Sequence, residues 1–205
     1  MTRIEHRPFL GEMTARATHD LKNHLAIINE NAGLMDDLAS LAESRGTLLD
    51  PTRVKGVAKK VMDHVHRADL LVKTLNKVVH GMGNGQTDLY HSLESMVALA
   101  ARTLGKKNIQ IKMPAEAPGS ALLSKTPLGI CEIIWQALEF AMAHQPKEIE
   151  ISMENAPKNP IIWFTLRGTQ QNEELPSPNA QPMEELGVHF KKTNEGFGLI
   201  WSTPL

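Results

Sequence analysis

The hydrophobic pattern of the first 80 residues predicts two long amphipathic helices. The first covers roughly Pro8 to Ser44, and its apolar residues recur at alternating spacings of four and three. The second is expected to begin at Asp50-Pro51, where an N-capping acid precedes a proline at the first helical position. The apolar stripe of the first helix consists of Leu21, Leu25, Ile28, Ala32 and Met35. The stripe of the second consists of Val54, Val57, Val61, Val65, Ala68, Val72, Leu75 and Val79.

The connection between the two helices is short, around Arg45 and Gly46, and this predicts an antiparallel hairpin. A single hairpin cannot cover two such stripes by itself. We therefore expect a homodimer in which two hairpins form a four-helix bundle. The alternative is a monomer in which the second half of the chain covers the stripes.

The second half of the chain alternates helical and strand patterns, which predicts a small α/β domain. A linker is expected at Gly81–Gln86, and loops at Asn155–Pro160 and Gly168–Pro182. The helical patterns cover Thr87–Leu104 and, after the cap Thr126-Pro127, a run to about His144. Strands are expected at Ile109–Met113, Glu148–Met153 and Ile161–Leu166, with shorter ones at Gly187–Phe190 and Leu199–Trp201. The fold class is therefore α+β, with a hairpin domain at residues 1–82 and an α/β domain at 87–205.

Composition narrows the possible environments and partners. The formal net charge of −1 gives no reason to expect nucleic acid or an anionic membrane as a partner. A single cysteine, Cys131, excludes an internal disulfide and favours a reducing compartment. No stretch approaches the ~18 apolar residues of a membrane span, and the first residues lack an apolar signal region. We expect a cytoplasmic protein.

His19 is the candidate for chemistry. At about 100° per residue, it lies about 160° from the centre of the first stripe, so the imidazole is expected to point away from the core. A neutral imidazole nitrogen is a competent nucleophile near pH 7. An outward imidazole on a rigid helix suits a phosphoryl carrier, and the alternative is an ordinary exposed histidine.

The neighbours of His19 are candidate catalytic and docking residues. Asp20 could hydrogen-bond the ring and fix its tautomer, and Asn23, one turn further on the same face, could contact the phosphoryl group or a partner. Each could equally be a plain exposed polar residue. Ala26 and Ile27 are expected to be exposed below His19, where Ile27 with Leu70 or Leu71 would form an apolar patch. The expected partner-binding residues are Lys22, Ala26, Ile27, Glu30, Leu70 and Lys73, and no metal site is expected in this chain.

The run His19-Asp20-Leu21-Lys22-Asn23 resembles the histidine box of two-component sensor histidine kinases. The proline that usually follows the box is replaced here by His24. The second half of the chain looks like the ATP-binding domain of the same family. The resemblance implies that His19 is a phospho-accepting residue on a dimeric hairpin.

The nucleotide motifs of that family are altered. On the matching helix, Gln136 and Phe140 stand where asparagines would be expected, and phenylalanine cannot ligate a hard cation. Leu166 takes the place of the acid that would bind adenine. Gly196-Phe197-Gly198 resembles the last glycine box, although a lone Gly-x-Gly is weak evidence because it serves many turns.

A kinase-like chain with altered nucleotide motifs resembles the dimeric histidine phosphotransferases, including the ChpT-like group. The resemblance implies a relay in which a phosphoryl group moves from the aspartate of one receiver domain to His19 and then to another. The expected partners are response-regulator receivers and a hybrid kinase. This chain would bind no cofactor, and the receiver would bring Mg²⁺. Two alternatives stay open, namely a kinase with an unusual ATP site and a pseudokinase that regulates a kinase or response regulator without carrying phosphate. A phosphotransferase is favoured over an ATP-dependent kinase.

Overall fold

The computed structural model describes residues 7–80, 87–114, 122–123, 125–154, 159–169, 183–184 and 186–202. The expected linker at Gly81–Gln86 and most of the loop expected at Gly168–Pro182 lie outside the described residues, as do residues 155–158 of the expected turn. The chain divides into two compact units. One is formed by Leu10–Leu75, and the other by the described residues among 1–9 and 76–205.

The first unit contains most of the two predicted helices, α1 (Arg7–Arg45) and α2 (Pro51–His80). Gly46 ends α1 with a φ of 60°. Its N–H donates to the Glu43 carbonyl over 3.1 Å, and the N–H of Thr47 donates to the Ala42 carbonyl over 3.0 Å. This is the Schellman arrangement, in which glycine adopts the left-handed conformation at little steric cost. The N–H of Thr52 donates to Asp50 Oδ1 over 2.8 Å, which confirms the predicted cap of α2.

Contacts along the two helices show that they run antiparallel. A groove in the middle of the pair is lined by residues 27–37 of α1 together with Lys60 and His64 of α2. At the tip, residues 38–45 of α1 approach Arg53 and Val54 of α2. Late positions of α1 therefore meet early positions of α2. The Nδ1 atoms of His24 and His64 lie 3.0 Å apart and join the helices near their midpoint.

In the single chain, Val65 and Val72 of the predicted α2 stripe are 51% and 43% exposed, so α1 does not cover them. The residues just before them, His64 and Leu71, are more covered, so the side of α2 that faces α1 includes residues 57, 61, 64, 68 and 71. Leu25 and Ala32 of the α1 stripe are likewise left uncovered by α2, with Leu25 53% exposed.

The inner side of α1 includes polar residues that the apolar pattern overlooked. Asn31 is only 9% exposed, and its amide donates to the Ile27 carbonyl over 2.7 Å. His24 is half-buried against His64. The apolar arc on each helix is wider than the surface that one partner helix covers. The sequence pattern therefore includes both the side that faces the other helix and the exposed side next to it.

The exposed apolar residues of both helices lie on one flank of the hairpin. Leu25 directly follows His24, and Val65 directly follows His64, so each is rotated by about 100° from the inner side. Equal rotations on antiparallel helices turn both side chains to the same flank. The repeat seven residues later places Ala32 and Val72 similarly. We call Leu25, Ala32, Val65 and Val72 the apolar flank.

The second unit contains a five-stranded sheet and two helices, as predicted. Its helices are α3 (Leu89–Lys106) and α4 (Pro127–Ala143). In spatial order the strands are β2 (Gln110–Lys112), β4 (Glu148–Glu154), β5 (Ile161–Arg167), β7 (Gly196–Trp201) and β6 (Val188–Lys192). Only the β2–β4 pair is parallel among these neighbours. A small antiparallel pair, β1 (Thr87–Asp88) and β3 (Leu122–Leu123), was not predicted.

Alternation along the central strands separates a buried side of the sheet from an outer side. Ile149 and Ile151 of β4 and Phe164 of β5 are buried, whereas Glu150 and Thr165, which alternate with them, are only half-buried. Trp135 and Trp201 lie in the core. Trp163 faces the outer side, where its ring is half-buried and its Nε1–H donates to Glu154 over 2.7 Å.

The glycine pair that resembled a phosphate-binding box lies inside strand β7. A Cβ atom at Gly196 would stand 1.8 Å from the Phe164 carbonyl oxygen of the neighbouring strand. A Cβ atom at Gly198 would stand 2.5 Å from the Trp163 ring. Both glycines are therefore explained by close packing within the sheet.

We predict that Gly196→Ala lowers the free energy of unfolding by about 1–3 kcal/mol or more, because backbone atoms must move to admit the methyl group. Urea denaturation followed by circular dichroism measures this. Gly105→Ala is the matched control, since no atom lies within 4 Å of a Cβ there and alanine favours the helix. Equal stability of the two variants would contradict the packing explanation.

Candidate functional site

The His19 side chain projects from α1 and is 64% exposed. It precedes His24 by five residues, which rotates it by about 140° from the inner side of the helix. This rotation is in the opposite sense to that of Leu25. The imidazole is therefore turned away from α2 and away from the apolar flank, in agreement with the outward orientation expected.

Two neighbours contact the same ring nitrogen of His19. Asp20 Oδ1 lies 3.4 Å from His19 Nδ1, a long contact. Asn23 Nδ2 lies 3.2 Å from the same nitrogen and also donates to the His19 carbonyl oxygen over 2.9 Å. The Asp20 side chain is only 19% exposed. The structure thus brings the three expected catalytic residues together, with both neighbours on the Nδ1 side.

One expected docking residue of α2 lies on the same flank as His19. Counting turns from the His24–His64 contact puts position 19 of α1 level with position 69 of α2, next to Leu70. Leu70 is 52% exposed and is rotated from His64 by about 120° in the same sense as His19 is from His24. Ala26 and Glu30 of α1 are exposed at similar rotations. We call His19, Asn23, Ala26, Glu30 and Leu70 the histidine flank.

The other expected docking residues fall around this flank. Lys22 is exposed, and exposed Lys73 forms an ion pair with Asp69 at 2.7 Å. Ile27 was expected to be exposed but is half-buried, because it lines the groove between the helices beside His64. The apolar contact area of the site therefore comes mainly from Leu70, because part of the Ile27 side chain is covered.

Sequence reasoning missed His64, which pairs with His24. The signal was its position, three residues after Val61 and four before Ala68, which completes the 3,4 spacing of the inner side. A search for apolar residues alone does not include His64, because histidine is polar.

Aromatic rings surround Phe140 in the second unit. Its ring centroid lies 5.1 Å from that of Phe197, 5.7 Å from Phe190 and 4.8 Å from His144. Phe197 in turn stacks on Phe164 at 4.9 Å with an interplanar angle of 12°. Edge-to-face and stacked pairs of this kind stabilise a packed cluster. At the position where the resemblance predicts a metal-holding asparagine, α4 thus presents a hydrocarbon ring packed among others.

The other positions compared with nucleotide motifs, Leu166 and the glycine pair of β7, lie within the paired strands of the sheet. Leu166 is half-buried near the end of β5, and its N–H donates to the Glu195 carbonyl over 2.8 Å. The run Gly196-Phe197-Gly198 is paired with strands on both sides. Backbone N–H groups that pair within a sheet differ from the open loop that cradles phosphate.

Three further properties bear on possible chemistry. Burial raises the pKa of the Cys131 thiol to about 12, so it stays neutral and is no nucleophile at ordinary pH. Within the described part of the chain, no group of three or more His, Cys, Asp or Glu side chains is arranged to hold a metal ion. None of the described helices is long and apolar enough to cross a membrane.

Comparisons with known proteins found similarity only among solved structures. No protein-family model matches the chain, and no curated protein matches it. The catalytic domain of histidine kinase ThkA aligns with 58% of this chain and 94% of its own length at 15% identity and a TM-score of 0.46. The histidine kinase AdeS of Acinetobacter baumannii aligns with 91% of this chain and 98% of its own at 14% identity and a TM-score of 0.45.

A third structure is that of ThkA in complex with the response regulator TrrA. It aligns with 98% of this chain and 64% of its own length at 17% identity and a TM-score of 0.46. Likenesses this distant assign no activity, which has to come from the side chains themselves.

We predict that the chain binds neither ATP nor ADP in the presence of Mg²⁺. The physical reason is that Phe140 and Leu166 offer only hydrocarbon at the two positions where the resemblance implies oxygen ligands, so that Mg²⁺ and the adenine amino group would lack those partners. Isothermal titration calorimetry measures this directly. Saturable heat at submillimolar nucleotide would contradict the prediction and would favour a kinase.

Proposed function

We propose that this chain is a histidine phosphotransferase of two-component signalling that works without ATP. In this role His19 accepts a phosphoryl group from the aspartate of one receiver domain and passes it to the aspartate of another. The observation that supports the proposal best is the exposed His19 imidazole, contacted on its Nδ1 side by Asp20 and Asn23. The aromatic cluster around Phe140 supports the ATP-independent part.

Chemistry assigns the nucleophile to Nε2. The two neighbouring side chains both contact Nδ1, and attack by Nε2 requires that the ring proton sit on Nδ1. A carboxylate near Nδ1 favours this tautomer, which is the orienting role expected of Asp20. Phosphoryl transfer has a loose transition state, so correct positioning of the ring supplies much of the catalysis. The receiver would supply Mg²⁺, which neutralises charge on the phosphoryl oxygens.

The histidine flank is the proposed receiver-binding surface. It combines the nucleophile with an exposed leucine, Leu70, at the same level of the hairpin. Small Ala26 leaves room for close approach, and Glu30, Lys22 and Lys73 supply charges at its rim. An apolar anchor surrounded by polar groups is the usual composition of a transient protein interface. A receiver domain, free or attached to a kinase, is the proposed partner.

A second copy of the chain is the proposed partner of the apolar flank. Val65, Val72 and Leu25 are 51%, 43% and 53% exposed, and they form a row that a second hairpin would cover. A twofold axis along the hairpin would set α1 of one copy beside α2 of the other.

We predict that label from a phosphorylated receiver reaches the wild-type chain and not His19→Ala. Incubation with a panel of radiolabelled receiver domains, followed by gel separation, measures the transfer. His66→Ala is the matched control, because His66 is another exposed helical histidine and its loss should leave transfer unchanged. Label that never reaches the chain, or that reaches His19→Ala equally, would favour a regulator that carries no phosphate.

We predict that Val65→Glu converts a dimer into a folded monomer, because a carboxylate would be buried without a partner in the bundle. Light scattering after size-exclusion chromatography gives the mass, and circular dichroism checks the helices. Leu70→Glu is the control on the opposite flank and should remain dimeric. A wild-type chain that is monomeric at micromolar concentration would overturn the dimer proposal.

A further inference from the structure

We infer that Asn23 is a positioning residue that stabilises His19 once it is phosphorylated, an inference that rests on the proposed function. Asn23 Nδ2 lies 2.9 Å from the His19 carbonyl oxygen and 3.2 Å from His19 Nδ1. The first contact fixes the orientation of the amide, since a flipped amide would set its own oxygen against the carbonyl oxygen. Asn23 therefore presents an N–H donor to the ring nitrogen.

Asp20 presents the opposite chemistry to the same atom. Its carboxylate oxygen, 3.4 Å from His19 Nδ1, can only accept a hydrogen bond when ionised. A ring nitrogen either carries a proton and donates, or offers a lone pair and accepts. The contacts of Asp20 and Asn23 therefore suit two different states of the ring.

The phosphoryl transfer connects these two states. Before transfer, Nε2 needs its lone pair, so the proton is on Nδ1 and faces the acceptor Asp20. During transfer the Nε2–P bond forms, and the P–O bond to the receiver aspartate breaks, with its electron pair staying on the carboxylate. The Nδ1 proton then leaves to Asp20 or to water. The product ring carries phosphorus on Nε2 and a lone pair on Nδ1, which is the state that the amide of Asn23 hydrogen-bonds.

The consequence is a longer-lived phosphohistidine. Imidazole leaves phosphorus more readily when the other ring nitrogen is protonated, because the leaving group is then neutral. A donor held at Nδ1 opposes that protonation. Asn23 thus slows loss of the phosphoryl group to water while a receiver is absent. When a phosphoryl group is transferred onward, the same steps run in reverse, with a proton returning to Nδ1.

Two substitutions separate this role from a merely structural one. Asn23→Ala removes the donor, and Asn23→Asp keeps the shape while exchanging the donor for an acceptor. Asn29→Ala is the matched control, an exposed asparagine on the same helix. We expect the lifetime of phosphorylated His19 to fall by about two- to tenfold in Asn23→Ala, the factor that one ordinary hydrogen bond supplies, and further in Asn23→Asp. Asn29→Ala should match the wild type.

The experiment needs no receiver. The full chain is phosphorylated with phosphoramidate, a small-molecule donor, and decay at His19 is followed at constant pH by mass spectrometry of the peptide that contains it. The ¹⁵N chemical shifts of the His19 ring report which nitrogen holds the proton. We expect the phosphorylated wild type to show an unprotonated, hydrogen-bonded Nδ1 whose shift changes in Asn23→Ala.

The outcomes distinguish this inference from the proposed function. Equal lifetimes in wild type and Asn23→Asp, or a ring shift insensitive to Asn23→Ala, would overturn the inference even where receivers transfer label to His19. A shortened lifetime would support it even if no receiver did so, in which case the proposed function would fail alone. A lifetime equally shortened in Asn29→Ala would show a general effect on the helix and would also overturn it.

Discussion

The fixed rotation of about 100° per residue along an α-helix is the constraint on which the first unit depends. The contact between His24 and His64 sets which side of each helix faces the other. Once that side is fixed, Leu25 and Val65 lie on one flank because each follows its histidine by one residue. His19 lies on the other flank because it precedes His24 by five residues. Three surfaces with different chemistry therefore follow from one pairing of two helices, and a small rotation of either helix would disturb all of them.

The sequence predicted the elements better than it predicted their rotation. The bounds of α1, α2 and α4 and the central strands were set by caps, prolines and periodicity, which are local signals. The apolar stripes of α1 and α2 do not show which residues face the partner helix, because the apolar arc is broad and the inner side includes His24, His64 and Asn31. Only the paired structure shows which half of the arc is covered. The β1–β3 pair was not predicted because strands of two residues are too short to show an alternation of apolar and polar residues.

The part of the candidate site that lies within about one turn of α1 was predictable from the sequence. His19, Asp20 and Asn23 come together because residues three or four apart on a helix are neighbours. The half-burial of Ile27 depends on α2 and was not predictable from α1 alone. The glycines of β7 resemble a phosphate-binding motif in the sequence. In the structure they are explained by the close approach of Phe164 and Trp163, which leaves no room for a side chain.

The imidazole pair at the centre of the hairpin has a consequence for the tautomers of its two rings. Two Nδ1 atoms 3.0 Å apart are held by a single shared hydrogen, so at least one ring must offer a lone pair. One ring therefore donates from Nδ1 and the other accepts there, so His24 and His64 must differ in which nitrogen holds the hydrogen. The joint between α1 and α2 thus depends on two unlike rings, five residues along α1 from the residue proposed to receive phosphate.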